Sequence, residues 1–161
     1  MKVLFVQTGG TIDKDYPHTT KGWAFEFGEP ASIRILEKLN PSFEFEIQTA
    51  FQKDSLEIND TDRKNLTDLI VKSNLEHIII THGTDTMVET ATFLAEHIKN
   101  KVIVITGAMR PEQFSNSDAP VNIGTAIGAV QILGPGVYIA MHGIVKPWNS
   151  MKRNLDTGKY Y

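Results

Sequence analysis

The stretch Ile78-Ile79-Ile80-Thr81-His82-Gly83-Thr84-Asp85-Thr86-Met87-Val88-Glu89 constrains the fold of this chain more than any other. Three β-branched apolar residues in a row read as a buried strand. Beyond them Met87, Ala91, Leu94, Ala95 and Ile98 recur at helical spacing and make one apolar face. Thr86, with Glu89 following it, has the form of a capping box and starts the helix at Thr86. His82, Gly83, Thr84 and Asp85 are then left on the turn between strand and helix. In an open α/β sheet this carboxyl end of a strand is where ligands bind, with free helix N–H groups facing any anion. A hydroxyl beside a carboxylate there makes Thr84 and Asp85 candidate site residues; the plainer reading is that they cap the helix. His82 has no partner at metal-site spacing and reads as packed or capping, so no metal site is expected.

The same strand-then-turn form recurs along the chain. Lys2 to Val6 is a strand running into Gln7-Thr8-Gly9-Gly10-Thr11-Ile12, where two glycines let the backbone turn sharply and approach a ligand. Neither a P-loop nor a dinucleotide fingerprint is present, so no cofactor is expected. Thr11 is placed at the carboxyl end of a second strand. Phe43 to Phe51 alternates as a strand and leads to Lys53-Asp54-Ser55, again a carboxylate and a hydroxyl at a strand end. Val102 to Ile105 and Val137 to Met141 are further strands. Helices are expected from Pro30 to Leu39, after a cap at Asn59 or Asp60, and from Ser117-Asp118, with Asp118 as cap and Pro120 in the first turn.

Repeated strand–helix units predict an α/β fold, a mostly parallel sheet flanked by helices on both faces. Asp13 to Gly22 is polar and reads as a mobile surface loop, a lid over the site; Trp23 to Phe27 alternates as a short ribbon closing it. Met109-Arg110 reads as a structural turn and Trp148 as packing. Lys152 to Tyr161 is polar and reads as the start of a connection.

At 161 residues the chain is expected to be one domain, residues 1–161. A net charge of −3 argues against a nucleic-acid partner. The absence of cysteine excludes disulfides, thiolate metal sites and cysteine nucleophiles. No apolar run has the length to cross a bilayer, so no membrane partner is expected. With no leader before the first strand, a cytoplasmic location is expected.

Thr8-Gly9-Gly10-Thr11-Ile12 resembles the first signature of the bacterial-type L-asparaginases, and His82-Gly83-Thr84-Asp85-Thr86-Met87 resembles their second. Gly107-Ala108-Met109-Arg110-Pro111, followed by Ser117-Asp118-Ala119-Pro120-Val121-Asn122, looks like a third family segment. The match covers nearly the whole chain and is loosest between Lys14 and Asn40. It implies the fold of the asparaginase N-terminal domain and hydrolysis of a side-chain carboxamide, L-asparagine or a related amide going to the acid and ammonia. Thr11 matches the family's threonine nucleophile, and Tyr16, the only tyrosine on the loop, its helper in removing the hydroxyl proton. Thr84, Asp85 and Lys152 match a second triad, Lys152 being reached without a gap from the strand Val137 to Met141. Ser55, preceded by Asp54, matches the hydroxyl that binds the substrate α-carboxylate. Asp85 would take the α-ammonium, and Thr84 with Ala108 would hold the carboxamide; Gly10 lies beside the nucleophile in the substrate pocket.

The resemblance carries a departure. Family members have a second, smaller C-terminal domain, which this chain is expected to lack, and in their dimers a neighbour's second domain supplies an acid to the α-amine pocket. Two readings follow. One is a single-domain amidohydrolase acting as a homodimer on a small amino-acid amide. The other is a non-catalytic relative that binds an amino acid or a protein partner. A third reading is that the chain is a fragment of a longer gene.

Overall fold

Strand residues in this chain point alternately into two apolar layers, and that alternation builds the molecule. Leu4, Val6, Ile78, Ile80, Ile103, Ile105, Val137 and Ile139 face one core; Val3, Phe5, Ile79, Val104 and Ala140 face the other. A strand apolar on both faces must be covered on both, which is why the sheet is parallel and sandwiched by helices. The computed structural model describes residues 1–18 and 24–161. The elements are β1 (Lys2–Gly9), β2 (Lys14–Asp15), β3 (Glu26–Phe27), α1 (Ala31–Leu39), β4 (Glu44–Lys53), α2 (Asp60–Lys72), β5 (His77–Thr81), α3 (Met87–His97), β6 (Val102–Thr106), α4 (Ala119–Ile132), β7 (Gly136–Met141) and β8 (Ile144–Pro147).

The main sheet has six strands in the order β4-β1-β5-β6-β7-β8, all parallel except the antiparallel β7–β8 pair. Helices α2 and α3 cover one face through Leu66, Ile70, Met87 and Leu94; α1 and α4 cover the other through Ile35, Leu36, Ile123 and Ile127. The expected α/β architecture is thus observed. From β1 the chain crosses to β4 on one side, and from β5 to β6 on the other. Between the carboxyl ends of β1 and β5 lies the topological switch point, where open α/β sheets form their ligand crevice.

Several local expectations are corrected. Helix α3 begins at Met87, and Thr86 makes no side-chain cap; its hydroxyl donates instead to the Ser55 carbonyl at 2.7 Å. Asp118 caps nothing with its side chain, because its carboxylate accepts from the Met109 and Arg110 amides and from Asn122. That contact makes Met109-Arg110 the structural turn expected. Asn59 does cap α2, in a reciprocal box with Asp62. The segment after Thr11 is not solvated throughout: Thr11–Asp13 form a 3-10 turn, Asp13 is buried, and β2 pairs with β3 as a ribbon. The rest of the expected lid falls partly on residues 19–23, outside the described residues. Strand β8, reached through His142 and Gly143 at φ 53° and 79°, was not foreseen. A two-residue loop with glycine between two apolar runs was the signal for that hairpin.

The largest correction is at the C-terminal end. Residues 152–161 do not lead away from the domain; Lys152 and Tyr161 exchange backbone hydrogen bonds, Arg153 pairs with Tyr160, and Tyr160 is buried. The segment is a hairpin folded over the end of the sheet.

Candidate active site

Three strand ends converge at the switch point: β4 leads to Asp54 and Ser55, β1 to Gly10 and Thr11, and β5 to Thr84 and Asp85. What brings them together is the absence of side chains where backbones touch. A Cβ on Gly10, which sits at φ +82°, would lie 2.4 Å from the Gly83 Cα and nitrogen. One on Gly83 would lie 2.7 Å from the Ser55 Cβ, and one on Gly107 would lie 2.3 Å from the His82 carbonyl oxygen. Glycine is required at these places by contact, and at Gly10 by φ as well. The residues following Gly10 and Gly83 are Thr11 and Thr84, so the two threonine-bearing turns are neighbours.

The Gly83–Thr86 turn is held from beneath by polar groups. Ser55 Oγ accepts the Asp85 amide at 3.1 Å, and His82 Nδ1–H donates to the Gly83 carbonyl at 2.7 Å. His82 Nε2 accepts from Thr90 Oγ1 at 2.8 Å, and Thr90 Oγ1 in turn accepts from Arg63 Nε at 3.2 Å. Complete burial pushes the His82 pKa down to about 4. A neutral, doubly bonded imidazole of this kind is structural, in line with the reading of His82 as packed. No cluster of metal-ligating side chains exists among the described residues.

On the other side of the turn stands the C-terminal hairpin. Arg153 Nη1 donates to Asp85 Oδ1 at 2.6 Å and to the Thr84 carbonyl at 3.0 Å. Tyr160 Oη donates to the same Thr84 carbonyl. Lys152, expected to complete a triad with Thr84 and Asp85, is exposed and is not brought to either; the cation on Asp85 is its neighbour Arg153. Neither Arg153 nor Tyr160 was singled out from the sequence.

The remaining candidates are placed as follows. Thr11 is half-buried, at the head of the turn that ends in buried Asp13. Asp13 accepts from the Ala31 amide at 2.7 Å, and desolvation raises its pKa to about 6. Tyr16 is exposed, stacks on Phe114 and lies tilted against Phe25, with ring centroids 5.9 and 5.1 Å away; no described hydrogen bond joins it to Thr11. Asp54 is paired with Lys14 at 2.8 Å and is half-exposed. Ser55 is buried under the turn with its oxygen already accepting an amide, and Ala108 is buried at the end of β6. Chemically, the crevice offers two hydroxyls on adjacent turns and two half-exposed carboxylates, Asp54 paired with Lys14 and Asp85 with an arginine against one of its oxygens.

The family model described as Asparaginase, N-terminal, matches residues 2–156. The glutaminase-asparaginase of Acinetobacter glutaminasificans is 28% identical, over 99% of this chain and 56% of that protein. The L-asparaginase of Thermococcus kodakarensis is 32% identical, over 87% of this chain and 44% of that protein. A solved structure of the thermostable L-asparaginase from Thermococcus kodakarensis superposes with a TM-score of 0.85 at 26% identity, over 100% of this chain and 51% of that one. The chain thus spans about half the length of the relatives it matches.

Proposed function

We propose, from the premise that this chain belongs to the asparaginase family through that family's N-terminal domain, that it hydrolyses the side-chain amide of L-asparagine or a related amino-acid amide. The observation that carries this is the meeting of the Thr11 and Thr84 turns at the switch point, joined by the Gly10–Gly83 contact. Thr11 attacks the carboxamide carbon, ammonia leaves from the tetrahedral adduct, and water hydrolyses the acyl-threonine to the carboxylate. The Thr11 proton passes to a base, for which Tyr16 is the proposed helper, and from there to the carboxamide nitrogen that leaves as ammonia. Thr84 and the Ala108 backbone hold the carboxamide. Asp85 receives the α-ammonium on its outward oxygen, while Ser55, with Asp54 and Gly10 at the crevice wall, meets the α-carboxylate.

The reaction is assigned to this domain acting as a homodimer in the cytoplasm. The family membership supports the assignment, and no described helix is long and apolar enough to cross a membrane. The test is ammonia release from L-asparagine and L-glutamine, with L-aspartate binding measured by calorimetry and the oligomer by light scattering.

One observation favours a second reading, a non-catalytic amino-acid binder. The cation against Asp85 is an arginine, a side chain that does not serve as a base, and the lysine beside it is exposed. Aspartate binding without any ammonia release would establish the binder in place of the hydrolase.

A further inference from the structure

The turn that carries Thr84 and Asp85 is gripped from two sides, and the outer grip belongs to no element of the sheet. Arg153 and Tyr160 are cross-strand partners in the C-terminal hairpin, and the guanidinium lies 5.7 Å from the Tyr160 ring centre. Both reach one acceptor, the Thr84 carbonyl oxygen, and Arg153 Nη1 continues to Asp85 Oδ1 at 2.6 Å. The hairpin is itself anchored. Arg153 Nε donates to the Gly158 carbonyl at 3.2 Å, and the Tyr160 amide donates to His142 Nδ1 at 3.1 Å, on the β7–β8 turn. Burial keeps the Tyr160 phenol protonated well above its ordinary range, so it remains a donor.

We infer that Arg153 and Tyr160 are positioning residues for the proposed hydrolysis: together they fix the Thr84 carbonyl and one oxygen of Asp85, and so set where the Thr84 hydroxyl and the second Asp85 oxygen meet the substrate. The inference rests on the amidohydrolase reading given above. With Ser55 holding the Asp85 amide and His82 holding the Gly83 carbonyl, these donors leave the turn little freedom. The groups these bonds leave uncommitted are the Thr84 hydroxyl and the second Asp85 oxygen, the two that the proposed reaction uses. Arginine suits the task because its planar fork bridges a carbonyl and a carboxylate and stays charged at every working pH. For Tyr160 the hydroxyl is the informative atom. Packing alone would be served by phenylalanine, whereas the phenol adds the bond to Thr84.

The test uses the full chain, with kcat and KM for ammonia release from L-asparagine measured beside the thermal midpoint. Arg153→Ala should lower kcat by about 10²-fold, the cost of a roughly 1 Å misplacement in a reacting constellation. KM should change far less, and millimolar guanidinium should restore about tenfold of the lost rate, which a general loss of folding could not give. Tyr160→Phe should lower kcat by about tenfold with the thermal midpoint near wild type. Arg153→Lys keeps the charge without the fork and should stay closer to Arg153→Ala than to wild type. Wild-type kcat in both Arg153→Ala and Tyr160→Phe overturns the inference, as does loss of rate that only tracks lost folded protein with no guanidinium rescue. A wild-type protein that releases no ammonia overturns the hydrolase reading itself and takes this inference with it, an outcome visible before any variant is compared.

Discussion

The switch point and the C-terminal hairpin hold the same turn by different physics. At the switch point Gly10 meets the Gly83 backbone and Gly83 meets Ser55, with Gly107 against the His82 carbonyl beside them, at distances where one methyl group has no room. At the hairpin, two long polar side chains reach across to one carbonyl and one carboxylate. A steric fit of the first kind is all-or-none, since packed backbone yields little. A clasp of hydrogen bonds is graded: each bond has a modest net worth, and losing one loosens the turn without unfolding the domain. The inner grip therefore decides whether the crevice exists, and the outer grip decides how sharply its groups are aimed.

The largest effects are expected where the inner grip is broken. Gly10→Ala places a Cβ 2.4 Å from the Gly83 backbone at a φ of +82°. Overpacking and left-handed strain together should cost about 4 kcal/mol or more, enough to unfold much of a marginally stable domain. Urea denaturation measures it; a Gly10→Ala protein as stable as wild type would mean the two threonine turns are not in contact. Thr11→Ala leaves the packing alone and removes the nucleophile. Turnover should fall on the order of 10³-fold, about 4 kcal/mol of barrier, with stability and aspartate binding nearly unchanged. If most of the activity survives, Thr84 becomes the candidate nucleophile.

The two grips also differ in what they titrate. Beneath the switch point lie Asp13, with its pKa raised to about 6 by burial, and His82, with its pKa lowered to about 4 by burial. The folded state prefers both groups neutral, yet the signs are opposite. Stability from Asp13 is fully present below about pH 4 and is lost as pH rises toward 6. Stability from His82 is fully present above about pH 6.5 and is lost as pH falls toward 4. Each shift is worth about 3 kcal/mol, so in the wild type the two slopes offset each other across this window. Asp13→Asn, whose amide oxygen can still accept the Ala31 N–H, should unmask the histidine. Unfolding free energy, followed by urea titration at stepped pH, should then drop by about 3 kcal/mol between pH 6.5 and 4. A pH profile unchanged from wild type would show that Asp13 is not buried as described.

How much of this was readable in the sequence follows the same division. Ile78 to Ile80 and the spacing from Met87 to Ile98 announce β5 and α3 because burial on a regular element leaves a period. The glycines of both turns stand out because few other residues tolerate such approaches. The polar contacts left no comparable trace. Thr86 and Glu89 have the form of a capping box, but the Thr86 hydroxyl is used on Ser55, which is distant in sequence and adjacent in space. Asp118 has the form of a cap, but its oxygens are taken by the amides of Met109 and Arg110. The segment from Lys152 to Tyr161 has neither period nor apolar run, and its one buried aromatic, Tyr160, is recruited by partners at His142 and Thr84. Long-range hydrogen bonds choose partners through the fold, so a local pattern cannot name them.

The smallest expected effect is the sharpest probe of the outer grip. In an extended pair, neighbouring residues face opposite sides, so a slip of one residue exchanges the whole set of contacts. Arg153 and Tyr160 pair across the hairpin and face the Thr84 turn; Lys152, one residue earlier, is exposed. Its backbone bonds in both directions to Tyr161, so changing the side chain leaves the hairpin's main chain intact. Lys152→Met should accordingly keep ammonia release within about twofold of wild type and leave the thermal midpoint in place, the scale of an ordinary surface substitution. Arg153→Ala in the same assay should lose about 10²-fold. The reverse ranking, with Lys152→Met inactive but folded and Arg153→Ala active, would mean that in solution the hairpin sits one residue out of this register. The lysine would then be the group against Asp85, completing the triad of Thr84, Asp85 and Lys152 that the family resemblance implies.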